Sequence, residues 1–216
     1  QFGANKKKVL GVHPLYDNFG EAISKENAIV RLSLDKNYKY ILFFGIIRKY
    51  KGLDILLEAF ADNRLQNQNL KLIVAGEFYE DAKPYYDLLE KYNLSDSVVL
   101  ATKFIPDEKV VDYFCAADII AQPYKNATQS GVTQIAYHFE KPMLVTNVGG
   151  LNEIVPNHKV GYVCEPNAKD VSNFLTYAAE PELEQRKRMG IKVVLFLIAF
   201  AAVMFAVKKR VWKNIH

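Results

Sequence analysis

Short apolar runs alternate with helix-like segments along most of the chain, and this alternation constrains the fold more than any other feature. The first run, residues 40–44, has no charged position and stops at Gly45, as expected of a strand buried on both faces of a parallel sheet. Apolar residues then recur at helical spacing over 53–60. Further strand candidates are residues 70–75, 98–100, 119–121, 143–145 and 160–163. The pattern predicts a doubly wound, parallel Rossmann-like α/β sheet over residues 39–166, after an irregular entry segment over 1–38.

The ligand of such a sheet lies beyond the C-terminal ends of its strands. In this sequence glycines and polar residues follow the strand candidates. The loops concerned are residues 45–52, 76–80, 102–107, 122–130 and 147–153. We therefore expect the binding site of the domain to be built from these loops.

The net charge of +4 is unevenly distributed. From Ala178 onward eight basic residues accompany three acidic ones, so the rest of the chain is close to neutral. This argues against a nucleic-acid-binding protein and is typical of charges that flank a membrane span. The two cysteines, Cys115 and Cys164, have no CxxC spacing and no Cys/His cluster surrounds them. The sequence therefore predicts two reduced thiols, no metal site and no cofactor.

A first candidate phosphate site follows the first strand. Gly45 allows a sharp turn there, and Arg48 and Lys51 then lie in a loop that leads into a helix. Basic side chains beside the positive end of a helix bind phosphate well. The alternative is a solvated loop that happens to carry three bases.

A second candidate begins the helix predicted from Gly131. Small polar residues lead into it, and the backbone N–H groups of Ser130 and Gly131 could cradle a diphosphate. The alternative is an ordinary helix start, capped by the side chain of Thr128 or Ser130. A double glycine at 149–150 could likewise allow the backbone to approach a ligand closely, or it could only form a turn.

Several of these segments resemble one family in their order and spacing. They are Gly45 with Lys51-Gly52, Ala75-Gly76-Glu77, Ala117-Asp118 with Gln122-Pro123, Glu140-Lys141-Pro142, and Thr146-Asn147-Val148-Gly149-Gly150-Leu151 with Glu153. Residues 11–165 are thereby similar to the donor-binding domain of the group 1 glycosyl transferases. The resemblance implies one half of the GT-B fold, which has two facing Rossmann-like domains. It implies transfer of a sugar, of the hexosyl type, from a nucleotide-diphosphate sugar with retention.

The resemblance also implies roles for individual residues. Arg48 and Lys51 would contact the donor diphosphate, together with Gly45 and the helix start at Ser130 and Gly131. The residues implied to contact the nucleotide are Glu77, Phe104, Ile105, Thr128, Gln129 and Gln134.

The sequence departs from the family pattern in two places. The arginine that the family places directly after the first glycine is replaced by Ile46. Two glutamates that contact the donor in the family correspond to Ala127 and Ile135. The resemblance therefore assigns no catalytic residue in this chain.

The family's N-terminal, acceptor-binding domain is expected to be missing. Residues 13–16, His-Pro-Leu-Tyr, resemble the segment that enters the C-terminal domain. A donor-binding domain alone should bind its donor better than it turns it over, and the fragment is expected to be inactive. Because nucleotide sugars are cytosolic, the globular part is expected in the cytoplasm, although the charge pattern of the C-terminal tail leaves the side of the membrane open.

The C-terminal segment predicts a membrane span. Residues 193–207 are fifteen consecutive apolar residues, and residues 189–210 together are long enough to cross a bilayer as a helix. The bases and Trp212 that follow are typical of a membrane boundary. A buried core helix is the alternative, but a segment without a polar face argues against it. Residues 167–188 are expected to be a linker or helix.

This tail resembles the C-terminal anchor of cytochrome c1, a subunit of the respiratory quinol–cytochrome c reductase. The matching segments within 170–216 are Asn173-Phe174-Leu175, Ala179-Glu180-Pro181, Arg186-Lys187-Arg188-Met189-Gly190 and Lys208-Lys209-Arg210-Val211-Trp212. The Cys-x-x-Cys-His motif is absent from the sequence, so no haem is expected. Two alternatives to an anchored glycosyltransferase remain. One is a respiratory-complex subunit with a non-catalytic Rossmann-like domain, and the other is a chimera joined near Pro166.

Overall fold

The computed structural model describes residues 16–66, 68–155, 160–179 and 183–213. Two compact units divide the chain, the first ending at Ala179 and the second beginning at Glu180. Residues 1–15 of the expected entry segment lie outside the described residues.

A six-stranded, all-parallel sheet forms the centre of the first unit, as the sequence predicts. Its order is β3-β2-β1-β4-β5-β6. The strands are β1 (Lys39–Phe44), β2 (Leu70–Ala75), β3 (Val98–Ala101), β4 (Ile119–Gln122), β5 (Met143–Thr146) and β6 (Gly161–Cys164). The order reverses between β1 and β4, which places a crevice between the loops that follow these two strands.

Helices connect the strands and cover both faces of the sheet. They are α1 (Lys25–Arg31), α2 (Leu53–Phe60), α3 (Asn63–Gln66), α4 (Lys83–Lys91), α5 (Asp107–Ala116), α6 (Gly131–His138), α7 (Leu151–Ile154) and α8 (Ala168–Ala179), with a short 3-10 helix at Lys49–Lys51. Side chains of β1 alternate between two apolar cores. Tyr40 and Leu42 pack with α1, α5 and α6, whereas Ile41 and Phe43 pack with α2, α4 and α8.

The entry segment is not irregular throughout, contrary to the expectation for residues 1–38. Helix α1 starts at Ser24, whose side chain accepts a hydrogen bond from the Asn27 N–H at 3.2 Å. Ala28 and Ile29 are buried against α5. Two buried residues in seven give too short a pattern to be recognised in the sequence, and tertiary packing stabilises the helix.

The domain also extends beyond the expected boundary at residue 166. Helix α8 begins two residues later and packs on the sheet through the fully buried Val171 and Leu175. These side chains complete the core that α2 and β6 share. The segment expected as a linker or helix therefore contributes a helix to the globular unit.

Charged residues at the N-terminal ends of the strands form hydrogen bonds that connect neighbouring elements. The Asp118 carboxylate accepts hydrogen bonds from the Lys25 ammonium at 2.6 Å and from the Tyr40 N–H at 2.7 Å. The Lys141 ammonium donates to the backbone carbonyls of Cys115 and Ala117 at 3.2 and 3.0 Å. The family motifs that contain Asp118 and Lys141 therefore have structural roles here.

The second unit is one long helix, α9 (Leu183–Lys213). Residues 188–210 within it have a mean hydropathy of 2.6 over the most apolar window, and their side chains are exposed. By length and composition this helix could cross a membrane. The prediction of a single spanning helix over 189–210 is thus confirmed as a matter of length and apolarity.

Candidate functional site

Loops from four strands meet at the C-terminal edge of the sheet. A Cβ atom on Gly52 would lie 1.9 Å from the carbonyl oxygen of Pro123, and one on Gly149 would lie 1.5 Å from that of Ala127. Both glycines have positive φ, 70° and 53°, so the close backbone approach and the conformation each require glycine. The Ile47 N–H donates to the Glu77 carbonyl at 2.8 Å and joins the β1 and β2 loops.

Lys51 is a buried cation at the centre of this crevice. Its side chain is only 9% exposed, and its ammonium nitrogen lies 5.9 Å from the ring centroid of Tyr124. A Cβ atom on Gly45 would lie 3.0 Å from that nitrogen and 3.8 Å from Val132 in the first turn of α6. Lys51 therefore reaches from the β1 loop towards the start of α6.

The environment of Lys51 disfavours its positive charge. Burial lowers the pKa of Lys51 to about 8, and the positive charge of Arg48 contributes in the same direction. The Arg48 guanidinium itself is held 3.9 Å from the ring centroid of Tyr79, a cation–π contact that fixes its position. Tyr79 was not among the candidates, and only its place after the β2 glycine could have suggested a role.

Four basic residues in the loops after β1 and β4 differ in whether a carboxylate pairs with them. Lys49 lies 3.7 Å from the Glu80 carboxylate, and Lys125 lies 2.5 Å from that of Asp54. Within the part of the chain that the structure describes, no carboxylate lies within 4 Å of Arg48 or Lys51. Neighbouring cations without a carboxylate partner attract external anions.

The start of α6 offers backbone N–H groups rather than a side-chain cap. Ser130 occupies the N-cap position, but its side chain makes no capping hydrogen bond. Its hydroxyl is instead 3.1 Å from the Tyr124 hydroxyl. Burial raises the pKa of Tyr124, so that phenol stays protonated and holds Ser130 in place. The alternative of an ordinary side-chain cap from Ser130 is therefore wrong.

Buried polar side chains fix the loop that precedes α6. Thr133 donates from its hydroxyl to the Gln122 side-chain carbonyl at 3.1 Å, and the Thr146 hydroxyl donates to the Tyr124 backbone carbonyl. Both threonines are fully buried, so these hydrogen bonds are protected from water. They position the Tyr124 ring beneath Lys51.

The residues expected to contact the nucleotide lie on several loops and on α6. Phe104 and Ile105 line a cavity of about 380 Å³ beside β3, with Tyr113 among its other walls. Thr128 and Gln129 are exposed on the loop before α6, Gln134 is buried on α6, and Glu77 is exposed on the β2 loop. None of the residues lining the Phe104 cavity is a diphosphate candidate.

The two positions that hold glutamate in the family cannot supply a carboxylate here. Ile135 is 6% exposed and packs in the core with Phe139 and Phe114. Ala127 packs against the same core, and its carbonyl faces Gly149. Among the described residues, no group of three or more acids, histidines or cysteines is placed to bind a metal ion.

Two relatives match different parts of the sequence. The D-inositol 3-phosphate glycosyltransferase of Streptomyces avermitilis is 29% identical over 196 residues, which cover 86% of this chain and 42% of that protein. The cytochrome b/c1 of Bradyrhizobium diazoefficiens is 51% identical over 49 residues, which cover 23% of this chain and 7% of that protein. The chain thus spans less than half the length of the curated relatives it matches.

Solved structures confirm the fold. Sucrose-phosphate synthase from Thermosynechococcus elongatus has a TM-score of 0.67 at 21% identity, covering 89% of this chain and 52% of that one. The C-terminal domain of a glycosyl transferase group 1 protein, LpcC, from Francisella tularensis has a TM-score of 0.64 at 20% identity, covering 74% and 85%. Anabaena HepE in complex with UDP-glucose has a TM-score of 0.64 at 18% identity, covering 73% and 43%.

The match to a whole family extends over most of the chain. Residues 24–193 match the family described as Glycosyl transferases group 1. This match passes Pro166, the position considered for a chimeric join, and overlaps the segment that is similar to cytochrome c1. The parallel sheet and the motifs at its two edges agree with this family match. The chain therefore belongs to the group 1 glycosyl transferases.

Proposed function

We propose that this chain is the donor-binding half of a membrane-anchored glycosyltransferase that uses a nucleotide-diphosphate sugar. The observation that carries the proposal is the pair of cations without a carboxylate partner, Arg48 and Lys51, beside the uncapped start of α6. A diphosphate would supply the missing negative charge. The N–H groups of Ser130 and Gly131 would bind it together with the two side chains.

The same geometry would assist the transfer reaction. As the bond between the sugar and the diphosphate breaks, negative charge grows on the leaving oxygen, and fixed cations stabilise that charge. Lys51 begins with a pKa of about 8, and a bound anion would raise it and keep the ammonium protonated. Gly45 leaves the space that the ammonium occupies. We propose transfer of a hexosyl group with retention of configuration.

The nucleotide would extend from the diphosphate across the strand ends. We propose that Phe104 and Ile105 contact the base, because they form an apolar wall after β3. Glu77, Thr128, Gln129 and Gln134 would provide polar contacts to the ribose and the sugar. Anabaena HepE, a neighbour in fold, was solved with UDP-glucose, which makes UDP the first nucleotide to test.

Catalysis by this chain would need a second domain. The positions Ala127 and Ile135 carry no carboxylate, and the chain spans 42% of the Streptomyces avermitilis relative. We propose that an acceptor-binding domain completes the cleft and brings the catalytic groups, and that the chain alone is inactive. Residues 39–166 would hold the donor in the cytoplasm while residues 189–210 cross the membrane.

Calorimetric titration of UDP and GDP into the full chain in detergent tests the proposal. Replacing Lys51 or Arg48 by alanine should weaken binding by about 1–3 kcal/mol, because each change removes a charge-assisted hydrogen bond. Lys49→Ala is the matched control, since Lys49 lies between them in the sequence but pairs with Glu80 and is 81% exposed. The proposal is wrong if neither nucleotide binds, or if Lys49→Ala costs as much as Lys51→Ala.

The match to cytochrome b/c1 favours one other function. A segment 51% identical over 49 residues could anchor a Rossmann-like domain that serves only as a scaffold in a respiratory complex. That reading requires the chain to co-purify with quinol–cytochrome c reductase and to bind neither UDP nor GDP. The purified chain should show no haem bands in its absorption spectrum. Under this alternative, any haem of the complex would be bound by other subunits.

A further inference from the structure

A groove separate from the donor crevice lies where β6 ends. Its volume is about 730 Å³, and its walls come from the end of β5, from α7, from β6 and from α8. None of its lining residues is among the donor-binding candidates. The volume is within the range of sites that bind small molecules.

One wall of the groove is aromatic. The rings of Tyr162 and Phe174 have centroids 4.6 Å apart, and those of Tyr162 and Tyr177 are 6.2 Å apart. Tyr177 remains 53% exposed at the groove. The faces of such rings carry partial negative charge and attract the weakly positive C–H bonds of a ligand.

Other lining residues form a chain of hydrogen-bonded polar groups. The Asn152 side-chain amide donates to the Asn147 carbonyl oxygen at 2.8 Å, and the Asn147 amide donates to the Glu165 carboxylate at 3.1 Å. On α8, the Asn173 carbonyl accepts from Arg64 at 2.9 Å, which directs the donor half of that amide away from Arg64. An amide in such a network still has donors and acceptors to offer a ligand.

The charge of the described lining disfavours phosphorylated ligands. Its described lining includes the carboxylates of Glu165 and Asp170 but no lysine, arginine or histidine. Burial raises the pKa of the Cys164 thiol to about 12, so the thiol is neutral and adds no charge. A nucleotide or a phosphate would be repelled, in contrast to the donor crevice.

We propose that this groove binds a neutral carbohydrate chain. A pyranose ring has one face of C–H bonds and a rim of hydroxyl groups that both donate and accept hydrogen bonds. The face matches the exposed ring of Tyr177, and the rim matches the amides and carboxylates that line the same groove. Because the groove lies outside the donor crevice, this binding does not depend on nucleotide binding, and it would retain a glycan on the domain between transfers.

Saturation-transfer NMR on the full chain tests the proposal, with maltotriose, cellotriose and mannotriose as probes. The detergent must carry no sugar head group, because a maltoside would compete for the groove. We expect at least one probe to bind, and Tyr177→Ala to weaken it about tenfold through loss of the exposed ring. Tyr86→Ala is the matched control, since Tyr86 is a comparably exposed tyrosine on α4 outside the groove.

Two variants keep the outcome decisive. Asn152→Leu should abolish probe binding by removing one end of the polar network, and UDP binding should be unchanged in both groove variants. The proposal is overturned if no probe binds at millimolar concentration, or if Tyr86→Ala weakens binding as much as Tyr177→Ala. It is also overturned if UDP displaces the bound sugar, because the sugar would then occupy the donor crevice.

Discussion

Raising the pH from 7 to 9 should weaken binding of UDP to this chain through a single side chain, Lys51. Its pKa in the free protein is about 8, so the ammonium is about nine-tenths protonated at pH 7 and about one-tenth at pH 9. If only the protonated form binds the diphosphate, affinity falls up to about tenfold, or about 1.4 kcal/mol. A lysine with an ordinary pKa would remain charged throughout this range.

Calorimetry at half-unit pH steps measures the effect, and Lys51→Arg gives the sharpest comparison. A guanidinium keeps its charge at pH 9, so the variant should bind with nearly constant affinity over the same range. The phosphate groups add no slope, because their last ionisation is complete near pH 7. A flat profile for the wild type, or an equal slope in Lys51→Arg, would refute the role assigned to the buried ammonium.

Three further predictions follow from the packing. Gly149→Ala should destabilise the domain by at least about 1 kcal/mol in urea unfolding, since its Cβ would overlap the Ala127 carbonyl at positive φ. Gly190→Ala is the control and should be neutral, because the space around Gly190 is open. Equal effects of the two substitutions would contradict this reasoning. Asp112→Ala should cost about 1–3 kcal/mol in the same assay, because this 1%-exposed carboxylate pairs with Arg31 and Lys109; an unchanged midpoint would contradict it. Removing residues after Ala179 should yield a domain that stays in solution without detergent and still binds UDP, and unfolding of that domain would show that the tail belongs to its core.

The sheet could be predicted from the sequence because its strands are buried on both faces. Such strands are continuous apolar runs, as in residues 40–44 and 70–75, and a parallel arrangement follows from the helices between them. Helix α1 could not be predicted, because it buries only Ala28 and Ile29. The end of the domain was misplaced at residue 166 because α8 follows the last strand and belongs to the domain only through its packing, by Val171 and Leu175.

The candidate site could be predicted only in outline. Lys49 and Lys51 are equivalent in the sequence, two lysines on either side of a tyrosine. The 3-10 helix turns one towards Glu80 and buries the other near Tyr124. Which cation is left for a ligand depends on where distant loops place their acids and rings, and no local pattern carries that information.

The charged residues at the two edges of the sheet differ in their partners, and this affects which substitutions the domain can tolerate. Lys25, Asp118 and Lys141 satisfy one another or the backbone at the N-terminal ends of the strands. At the C-terminal ends, Arg48 and Lys51 have no carboxylate within 4 Å in the part of the chain that the structure describes. Replacing Arg48 or Lys51 would therefore remove no ion pair from the described part of the domain. Ala127 and Ile135, at the two positions where the resemblance implies glutamates, both pack against the core, so the scaffold accommodates apolar residues there.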